Sequence, residues 1–406
     1  MPLFFVAGSR AVVIILLLIY IKLYTNALAI NELGYYAYWL ALSYFFNALI
    51  FVPFDNYLQS RLHVWKEEGV SLRGAINFNN FLVLACFAAI LVFSSSAYMF
   101  HSRDAALGLL VSLSYGLALH ISNLSRNTTN NLNHRMLASF FPIVDGGLKI
   151  AVLLLAKLFI QVNGIVVIAC ALLSSAISSA ICLSLMWRRG VFFSGRTEPV
   201  NVREAFNFSS PISVAAVFNW LQLQGYRLVL VPMGYAEAVG VYATISGIGA
   251  AAMNAVGSIY SQMRMPEIYR SRGRSITSYL VGIVILGALI GIAAWLFSDL
   301  IISLLANKEL ARHSGVIVFG VIIEGGNLII GALGVAHSLN RPTLTLAKAG
   351  AAGLACCALG FTLLFKWIDV TNIGWPLALS QILVAATLWY VVRKGGWIHR
   401  GKEMDR

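Results

Sequence analysis

The chain has 406 residues, of which 59% are hydrophobic and only 11% are charged. A soluble domain carries about a quarter charged residues, so this composition excludes a water-soluble globule and predicts that lipid solvates most of the chain. The net charge of +13 would suggest nucleic acid in a soluble protein, but here the basic residues stand in short loops between apolar runs. That placement predicts a membrane topology and no nucleic-acid partner.

Twelve apolar runs follow one another along the chain, each near the roughly 20 residues that a helix needs to cross a bilayer. They lie near residues 11–30, 36–57, 78–100, 105–125, 139–160, 164–187, 207–232, 238–262, 276–298, 314–337, 343–366 and 373–392. Residues 299–306 form a shorter segment, which is expected to lie at the surface or to extend a neighbouring helix. The pattern predicts an all-α polytopic membrane protein with about 12 transmembrane helices.

The loops alternate in charge, because Lys and Arg are retained in cytoplasmic loops. Of the 29 basic residues, 20 stand in loops on one side, 4 stand in loops on the other, and the remaining 5 lie inside the runs. Shifting the register by one helix would scramble this division. We therefore predict a multi-pass protein of the bacterial inner (cytoplasmic) membrane with both termini in the cytoplasm.

The longest polar connection, residues 187–204, divides the chain into two halves of six runs each. We predict an N-terminal six-helix bundle (1–190), a cytoplasmic linker (191–204), a C-terminal six-helix bundle (205–393) and a basic cytoplasmic tail (394–406). Six runs per half give equivalent helices the same orientation, so the repeat is parallel. Two parallel-repeat bundles around a central cavity are typical of a transporter that works by alternating access.

Short landmarks recur in the same order in both halves, which supports the repeat. They are a Gly-x-Tyr-Ala motif at the start of a run, a Leu-Asn pair in a loop, a proline at the start of a run, and a lysine about two turns after that proline. The paired positions are Gly34 and Gly240, Leu132 and Leu339, Pro142 and Pro342, and Lys149 and Lys348.

Four cations inside the runs are predicted to bind substrate, because a charge at membrane depth costs several kcal/mol and usually faces a cavity. Lys22 lies near the middle of the first run, and Arg227 lies at the equivalent place in the outer part of the seventh. Lys149 and Lys348 form a second equivalent pair. The alternatives are snorkelling for Lys22 and Lys348, an interfacial anchor for Arg227, and an ion pair of Lys149 with Asp145 four residues earlier.

Glu324 stands alone near the middle of the tenth run, with Asn327 one turn along the same face. A buried carboxylate can carry a proton, or bind Na⁺ together with nearby oxygens. Glu324, Asn327 and Asp145 are therefore the ion-coupling candidates, and pairing of Glu324 with an intramembrane cation is the alternative. Asp55, near the cytoplasmic end of the second run, is expected to be exposed at the interface. Apart from a coupling Na⁺ or H⁺, we predict no cofactor, metal or catalytic residue.

A net positive cavity at membrane depth requires an anionic ligand, and a diphosphate fits because several of its charges can meet several cations at once. The chain resembles the polysaccharide transporter branch of the multidrug/oligosaccharidyl-lipid/polysaccharide exporter superfamily, which includes the O-antigen and exopolysaccharide repeat-unit flippases. The residues that carry the resemblance are Leu33-Gly34-Tyr35-Tyr36-Ala37, Pro211, Gln224-Gly225-Tyr226-Arg227, Val239-Gly240-Val241-Tyr242-Ala243-Thr244 and Met265-Pro266.

The resemblance implies two six-helix lobes around a cationic cavity, with Lys22 and Arg227 at the positions of the family's basic cavity residues. It implies that the substrate is an undecaprenyl-diphosphate-linked oligosaccharide, moved from the cytoplasmic to the periplasmic leaflet with a proton or sodium gradient as the driving force. It also suggests contact with polysaccharide polymerase machinery. The chain departs from the pattern at Tyr226, where the family often has an acid beside the arginine.

Two other functions remain as alternatives. A multidrug or toxin extruder of the same superfamily would need an acid-rich cavity, whereas cations outnumber carboxylates inside these runs. An O-antigen polymerase or membrane glycosyltransferase would carry a long periplasmic loop or paired carboxylates, and the outer loops here are short. We therefore predict a transporter and no enzyme activity.

Overall fold

The computed structural model describes residues 2–132, 134–191, 195–271, 273–338 and 345–394. Over these ranges the chain is helical and has no β-strand, apart from one isolated bridge between Val70 and Arg196. The long apolar helices confirm the predicted class, an all-α polytopic membrane protein.

The helices follow one another with short connections. The first eight are α1 (Pro2–Thr25), α2 (Ile30–Ser43), α3 (Val52–Glu67), α4 (Arg73–Phe100), α5 (Arg103–Asn131), α6 (Arg135–Phe159), α7 (Gly164–Arg188) and α8 (Val202–Leu230). The remaining helices are α9 (Ala236–Arg270), α10 (Ile276–Leu296), α11 (Ser298–Leu305), α12 (Ile317–Ser338), α13 (Thr345–Leu364) and α14 (Gly374–Lys394). A π-helix (Asn47–Phe51) joins α2 to α3, and two 3₁₀-helices (Lys308–Val316 and Phe365–Trp367) precede α12 and follow α13.

Each of the twelve predicted runs coincides with a helix or with consecutive helices. Within the described chain, however, eleven of these helical segments are both long enough and apolar enough to cross a membrane. The exception is α8, whose 29 residues span about 43 Å at 1.5 Å per residue and are thus long enough. Polar side chains lower its hydropathy. One of them, Gln222, is buried and donates from Nε2 to the Ser380 hydroxyl at 2.8 Å. The side-chain amide of Gln222 on α8 therefore has its hydrogen-bond partner on α14.

The short segment at 299–306 forms α11, an eight-residue helix that is too short to cross a bilayer, as predicted. It packs against the 3₁₀-helix Lys308–Val316, and the Ser314 hydroxyl hydrogen-bonds to Asp299.

The predicted orientation of the termini and the bounds of the four predicted segments stay predictions.

The chain folds into two compact units, Met1–Val217 and Phe218–Arg406, so that α8 begins in the first and ends in the second. In the first unit α5 contacts α2, α3, α4, α6 and α7 and is therefore its central helix. In the second unit α12 is the corresponding central helix, since it contacts α9, α10 and α14. Each unit thus has one helix that is surrounded by its neighbours.

Close approach of backbones positions the central helix of the first unit. A Cβ atom on Gly116 of α5 would lie 2.1 Å from the backbone oxygen of Ser43, so only glycine permits this contact. Asn47, the first residue of the π-helix, donates from Nδ2 to the Gly116 carbonyl at 2.9 Å. The side-chain bond to α5 accompanies the local widening of the helix, as is common where an α-helix carries a π-turn.

We predict that Gly116→Ala destabilises the protein by about 1–3 kcal/mol, because the added methyl group must push the α2 backbone away from α5. Gly147→Ala, on α6 of the same unit, is the matched control, since no atom lies within 4 Å of a Cβ built there. The measurement is thermal unfolding of both purified variants in detergent. Equal transition temperatures for the two variants would contradict the packing described.

Candidate functional site

The predicted site residues divide between the two units. Lys22, Asp145 and Lys149 belong to the first unit, whereas Arg227, Glu324, Asn327 and Lys348 belong to the second. Each unit is therefore described separately, beginning with the cations.

Lys22 lies in the last turn of α1 and is half-buried, which corrects the prediction that it stands near the middle of a span. The reason is that α1 starts at Pro2, nine residues before the predicted run, and ends at Thr25. A helix C-terminus favours a cation, because the last carbonyls carry partial negative charge. The Lys22 carbonyl itself accepts from the Asn26 backbone N–H at 3.2 Å and from the Thr25 hydroxyl at 3.3 Å.

Arg227 lies in the last turn of α8 and is half-buried, in agreement with its predicted place in the outer part of the helix. Its Nε donates to the Tyr226 hydroxyl at 3.0 Å, and its guanidinium carbon lies 5.4 Å from the centre of the Tyr226 ring. Tyr226 is buried, with its ring stacked on Phe361 at 6.1 Å and edge-on to Tyr242 at 5.7 Å. An aromatic cluster therefore orients this arginine.

Lys149 forms the predicted ion pair with Asp145, four residues earlier on α6, with 2.6 Å between Nζ and Oδ2. The Ser175 hydroxyl of α7 donates to the other Asp145 oxygen at 2.8 Å. The lysine also lies 5.8 Å from the centre of the Tyr115 ring. Both charged side chains are less than one fifth exposed, so the pair is buried and its charges are satisfied within the unit.

Lys348 is exposed and lies in the first turn of the described part of α13. Lys149 lies beyond the middle of α6. Pro142, expected to start a helix, instead lies inside α6, because that helix begins at Arg135. The corresponding landmarks of the second half, Leu339 and Pro342, lie outside the described residues.

Glu324 lies on α12 and is half-buried between two amides. Asn327 donates from Nδ2 to Oε2 at 3.2 Å, which confirms that these two predicted residues share a face of the helix. Asn254 of α9 donates to Oε1 at 2.6 Å and was not predicted. It is the one asparagine in its apolar run, and that signal was available in the sequence.

Close packing continues from this cluster towards α14. A Cβ atom on Gly326 would lie 3.1 Å from the Cβ of Gln381. The Gln381 side chain is fully buried, and neither of its amide atoms has a hydrogen-bond partner among the described residues. Gly326, which follows Glu324 by two residues, therefore allows the side chain of Gln381 to lie against α12.

Asp55 corrects another prediction, because its side chain is only 13% exposed and does not lie open at the interface. It faces the fully buried His120 of α5, with 3.6 Å between Oδ2 and Nδ1. The other ring nitrogen of His120 is 2.7 Å from Oδ1 of Asn79 on α4. Neither His120 nor Asn79 was predicted, because residues on three separate helices meet here and no local spacing connects them.

We predict that Asp145→Asn destabilises the first unit by about 3 kcal/mol, because it leaves the charge of Lys149 buried without its carboxylate. The double variant Asp145→Leu/Lys149→Met removes both charges and should recover most of that loss. Thermal unfolding in detergent of the wild type, Asp145→Asn, Asp145→Leu, Lys149→Met and the double variant measures the coupling. Additive effects of the two substitutions would contradict the described pair.

No protein-family model matches the chain, and no curated protein matches it. Solved structures do match over nearly its whole length. The lipid II flippase MurJ, in an inward closed conformation, is 14% identical with a TM-score of 0.65, and the match covers 97% of this chain and 88% of that one. These values establish a likeness of fold.

Two MATE transporters share the same fold. The MATE multidrug transporter DinF-BH, solved in complex with rhodamine 6G, is 14% identical with a TM-score of 0.62, and the match covers 98% of this chain and 94% of that one. A point mutant of the Vibrio cholerae MATE transporter VcmN is 11% identical with a TM-score of 0.59, and the match covers 97% and 96% of the two chains. The chain thus shares its fold with these three solved structures, a lipid II flippase and two MATE transporters.

Proposed function

We propose that this chain is a flippase, which moves undecaprenyl-diphosphate-linked oligosaccharide repeat units from the cytoplasmic to the periplasmic leaflet by alternating access. The repeat units are those of an O-antigen or an exopolysaccharide. The observation that carries the proposal is the state of the charges at membrane depth. The acids are held by partners within the protein, while two cations occupy equivalent helix ends in the two halves.

Three acids of the described chain lie inside the spans rather than near their ends, and each has partners in its own unit. Asp145 binds Lys149 and Ser175, Glu324 accepts from Asn254 and Asn327, and Asp55 faces His120. An extruder of organic cations requires a carboxylate that can turn to its substrate. These acids would each have to give up existing contacts, which favours an anionic substrate.

Lys22 and Arg227 each lie in the last turn of the first helix of a half. This equivalence supports the predicted parallel repeat, which places both cations on the same side of the membrane. A diphosphate carries several negative oxygens and can accept hydrogen bonds from a lysine and an arginine together. The long apolar tail of a lipid-linked substrate meanwhile suits a protein surface that lipid already covers.

The likeness to MurJ supports the proposal, because that fold accommodates a lipid-linked substrate in a lipid II flippase. The likeness to DinF-BH in complex with rhodamine 6G supports a second candidate, a multidrug extruder of the same superfamily. The two candidates differ in the charge of their substrates, so binding experiments separate them.

The test is binding of undecaprenyl diphosphate and of rhodamine 6G to the full chain in detergent, each measured by ligand-induced thermal stabilisation. The proposal expects stabilisation by undecaprenyl diphosphate that weakens with added salt, and none by rhodamine 6G. Stabilisation by rhodamine 6G alone would overturn the proposal in favour of the extruder.

We predict that Lys22→Ala or Arg227→Ala weakens binding of undecaprenyl diphosphate by about 10- to 100-fold, since a hydrogen bond to a charged group contributes about 1.5–3 kcal/mol. In cells, each variant should lose surface polysaccharide while remaining in the membrane. Lys157→Ala is the matched control, because Lys157 is an exposed last-turn lysine on α6, a helix that does not open either half. Normal polymer in a strain carrying the Lys22→Ala/Arg227→Ala double variant would contradict the proposal.

For coupling, we propose that Glu324, with Asn327 and Asn254, binds the driving ion, either H⁺ or Na⁺. Carboxylate and amide oxygens are ligands of hard cations, and intramembrane carboxylates also form proton relays in transporters. The predicted role of Asp145 in coupling is less favoured, because the ion pair with Lys149 already holds it.

We predict that Glu324→Gln abolishes the response of transport to an imposed ion gradient, because glutamine keeps the shape but cannot change charge. Glu237→Gln is the control, since Glu237 is an exposed acid that pairs with Arg312 at the start of α9. The measurement is transport in proteoliposomes at several pH values and sodium concentrations. An unchanged gradient response in Glu324→Gln would leave this carboxylate with a structural role only.

A further inference from the structure

A second polar cluster lies inside the first unit, where the proposed function gives it no role. Asp55 on α3, Asn79 on α4 and His120 on α5 meet there. The imidazole is fully buried, and the ring of Phe51 stacks on it with 3.9 Å between centres and 15° between planes. A carboxyl group and an imidazole held together inside an apolar bundle are both able to change charge.

The contact with Asn79 determines which nitrogen of His120 carries a hydrogen. Oδ1 of Asn79 can only accept, so Nε2 of His120 donates to it across 2.7 Å. In the neutral ring Nδ1 is then an acceptor, and it faces Oδ2 of Asp55 at 3.6 Å. Two acceptors facing each other in an apolar bundle repel, so this geometry is favourable when one proton lies between them.

That proton can be held in two ways. It can sit on Oδ2, so that a neutral Asp55 carboxyl group donates to Nδ1, or on Nδ1, so that an imidazolium faces a carboxylate. Either way, uptake of one proton converts a charged carboxylate beside a neutral ring into a pair without net charge. The remaining oxygen of Asp55, Oδ1, is buried and has no hydrogen-bond partner in the part of the chain that the structure describes.

Two charged groups of the unit, Arg61 on α3 and Asp145 on α6, are engaged elsewhere. Among the described residues, His120 is the titratable side chain that contacts Asp55. The next charge along α3, Arg61, is paired with Glu204 of α8. On α6, Asp145 is already satisfied by Lys149 and, from α7, by a serine hydroxyl. The pair is therefore insulated from these ionisable groups of the unit.

The position of the pair also connects it to an irregular part of the backbone. Phe51, which stacks on His120, is the last residue of the π-helix Asn47–Phe51, and Asp55 follows it by four residues. The first residue, Asn47, is held to the Gly116 carbonyl of α5. Both ends of the π-helix thus contact α5 within four residues of each other, at 116 and 120. π-Helices of this kind occur often at functional sites.

We propose that Asp55 and His120 form a proton-binding site in the first unit, and that its occupancy sets the conformation of the π-helix through Phe51. This site is distinct from the Glu324 cluster, which belongs to the other unit. Its use in driving substrate movement rests on the proposed function, whereas the binding of a proton does not.

The test measures proton uptake by the full chain in detergent, with a pH-indicator dye in unbuffered solution, as the pH falls from mildly alkaline to mildly acidic. The wild type should take up about one proton more than Asp55→Asn, because the asparagine amide donates to Nδ1 without an exchangeable charge. Glu237→Gln, which changes an exposed acid at the start of α9, is the control variant and should keep the proton of the Asp55–His120 pair. Equal uptake by wild type and Asp55→Asn would overturn the proposal.

Infrared difference spectra of the same samples identify the atom that holds the proton. A carboxyl carbonyl band or an imidazolium band that forms on acidification, is lost in Asp55→Asn and is altered in His120→Gln supports the site. Absence of both bands in the wild type overturns it. If Asp55→Asn does not fold, wild-type protein labelled with ¹³C at its aspartate carboxyl groups and ¹⁵N in its histidine rings decides the question by the same bands.

Transport separates this proposal from the proposed function. A wild type that takes up the proton but fails to move any undecaprenyl-diphosphate-linked substrate would refute the flippase and leave the proton site standing. A wild type that moves the substrate while Asp55→Asn takes up the same number of protons would refute the proton site and leave the flippase standing.

Discussion

The core of a bilayer supplies no hydrogen-bond partners, so each polar group at that depth must find its partner within the protein. This constraint explains the shared plan of the three polar clusters. In each, a carboxylate is contacted by at least one side chain from another helix: Asp145 of α6 by α7, Glu324 of α12 by α9, and Asp55 of α3 by α5. The clusters differ in what holds the acid, which is a lysine, two amides or an imidazole. That difference is the reason for proposing that Glu324 and Asp55 exchange an ion, whereas Lys149 neutralises Asp145.

The placement of opposite charges follows from the same constraint. Acids occur inside the helices of the described chain, where side chains of the protein contact them. Lys22 and Arg227 stand in last turns, where the helix dipole favours a cation and the membrane surface is near. In the function proposed above, an anionic headgroup binds at these helix ends, and the energy of an ion gradient is captured deeper in each unit.

Much of the fold follows from simple sequence patterns, because length and apolarity suffice to locate a membrane helix. The ion pair of Lys149 with Asp145 was predictable from its spacing of four residues on one helix. Lys22 was placed too deep, because helix formation extends through the apolar residues before Arg10 and shifts the end of α1 to Thr25. The polarity of α8, with the buried Gln222, is explained by a partner on α14 that no local pattern reveals.

The site contacts between helices were the least predictable. Asn254 meets Glu324 across 70 positions of sequence, and Asn79 meets His120 across 41. Such contacts depend on how helices pack and on glycines such as Gly116, whose role is seen only when the neighbouring backbone is in place. A single sequence shows that a lone Glu324 requires partners, but it does not show which helix provides them.

The central claim is that this fold moves a lipid-linked anion between leaflets, and the direct measurement is leaflet exchange in reconstituted liposomes. A fluorescent undecaprenyl-diphosphate-linked oligosaccharide is placed in both leaflets, and the fraction that a membrane-impermeant quencher reaches is followed over time, with rhodamine 6G efflux measured in parallel. The account predicts that an ion gradient drives the labelled lipid to one leaflet in liposomes with the protein and not in empty ones. An unchanged leaflet distribution together with gradient-driven rhodamine 6G efflux would contradict it.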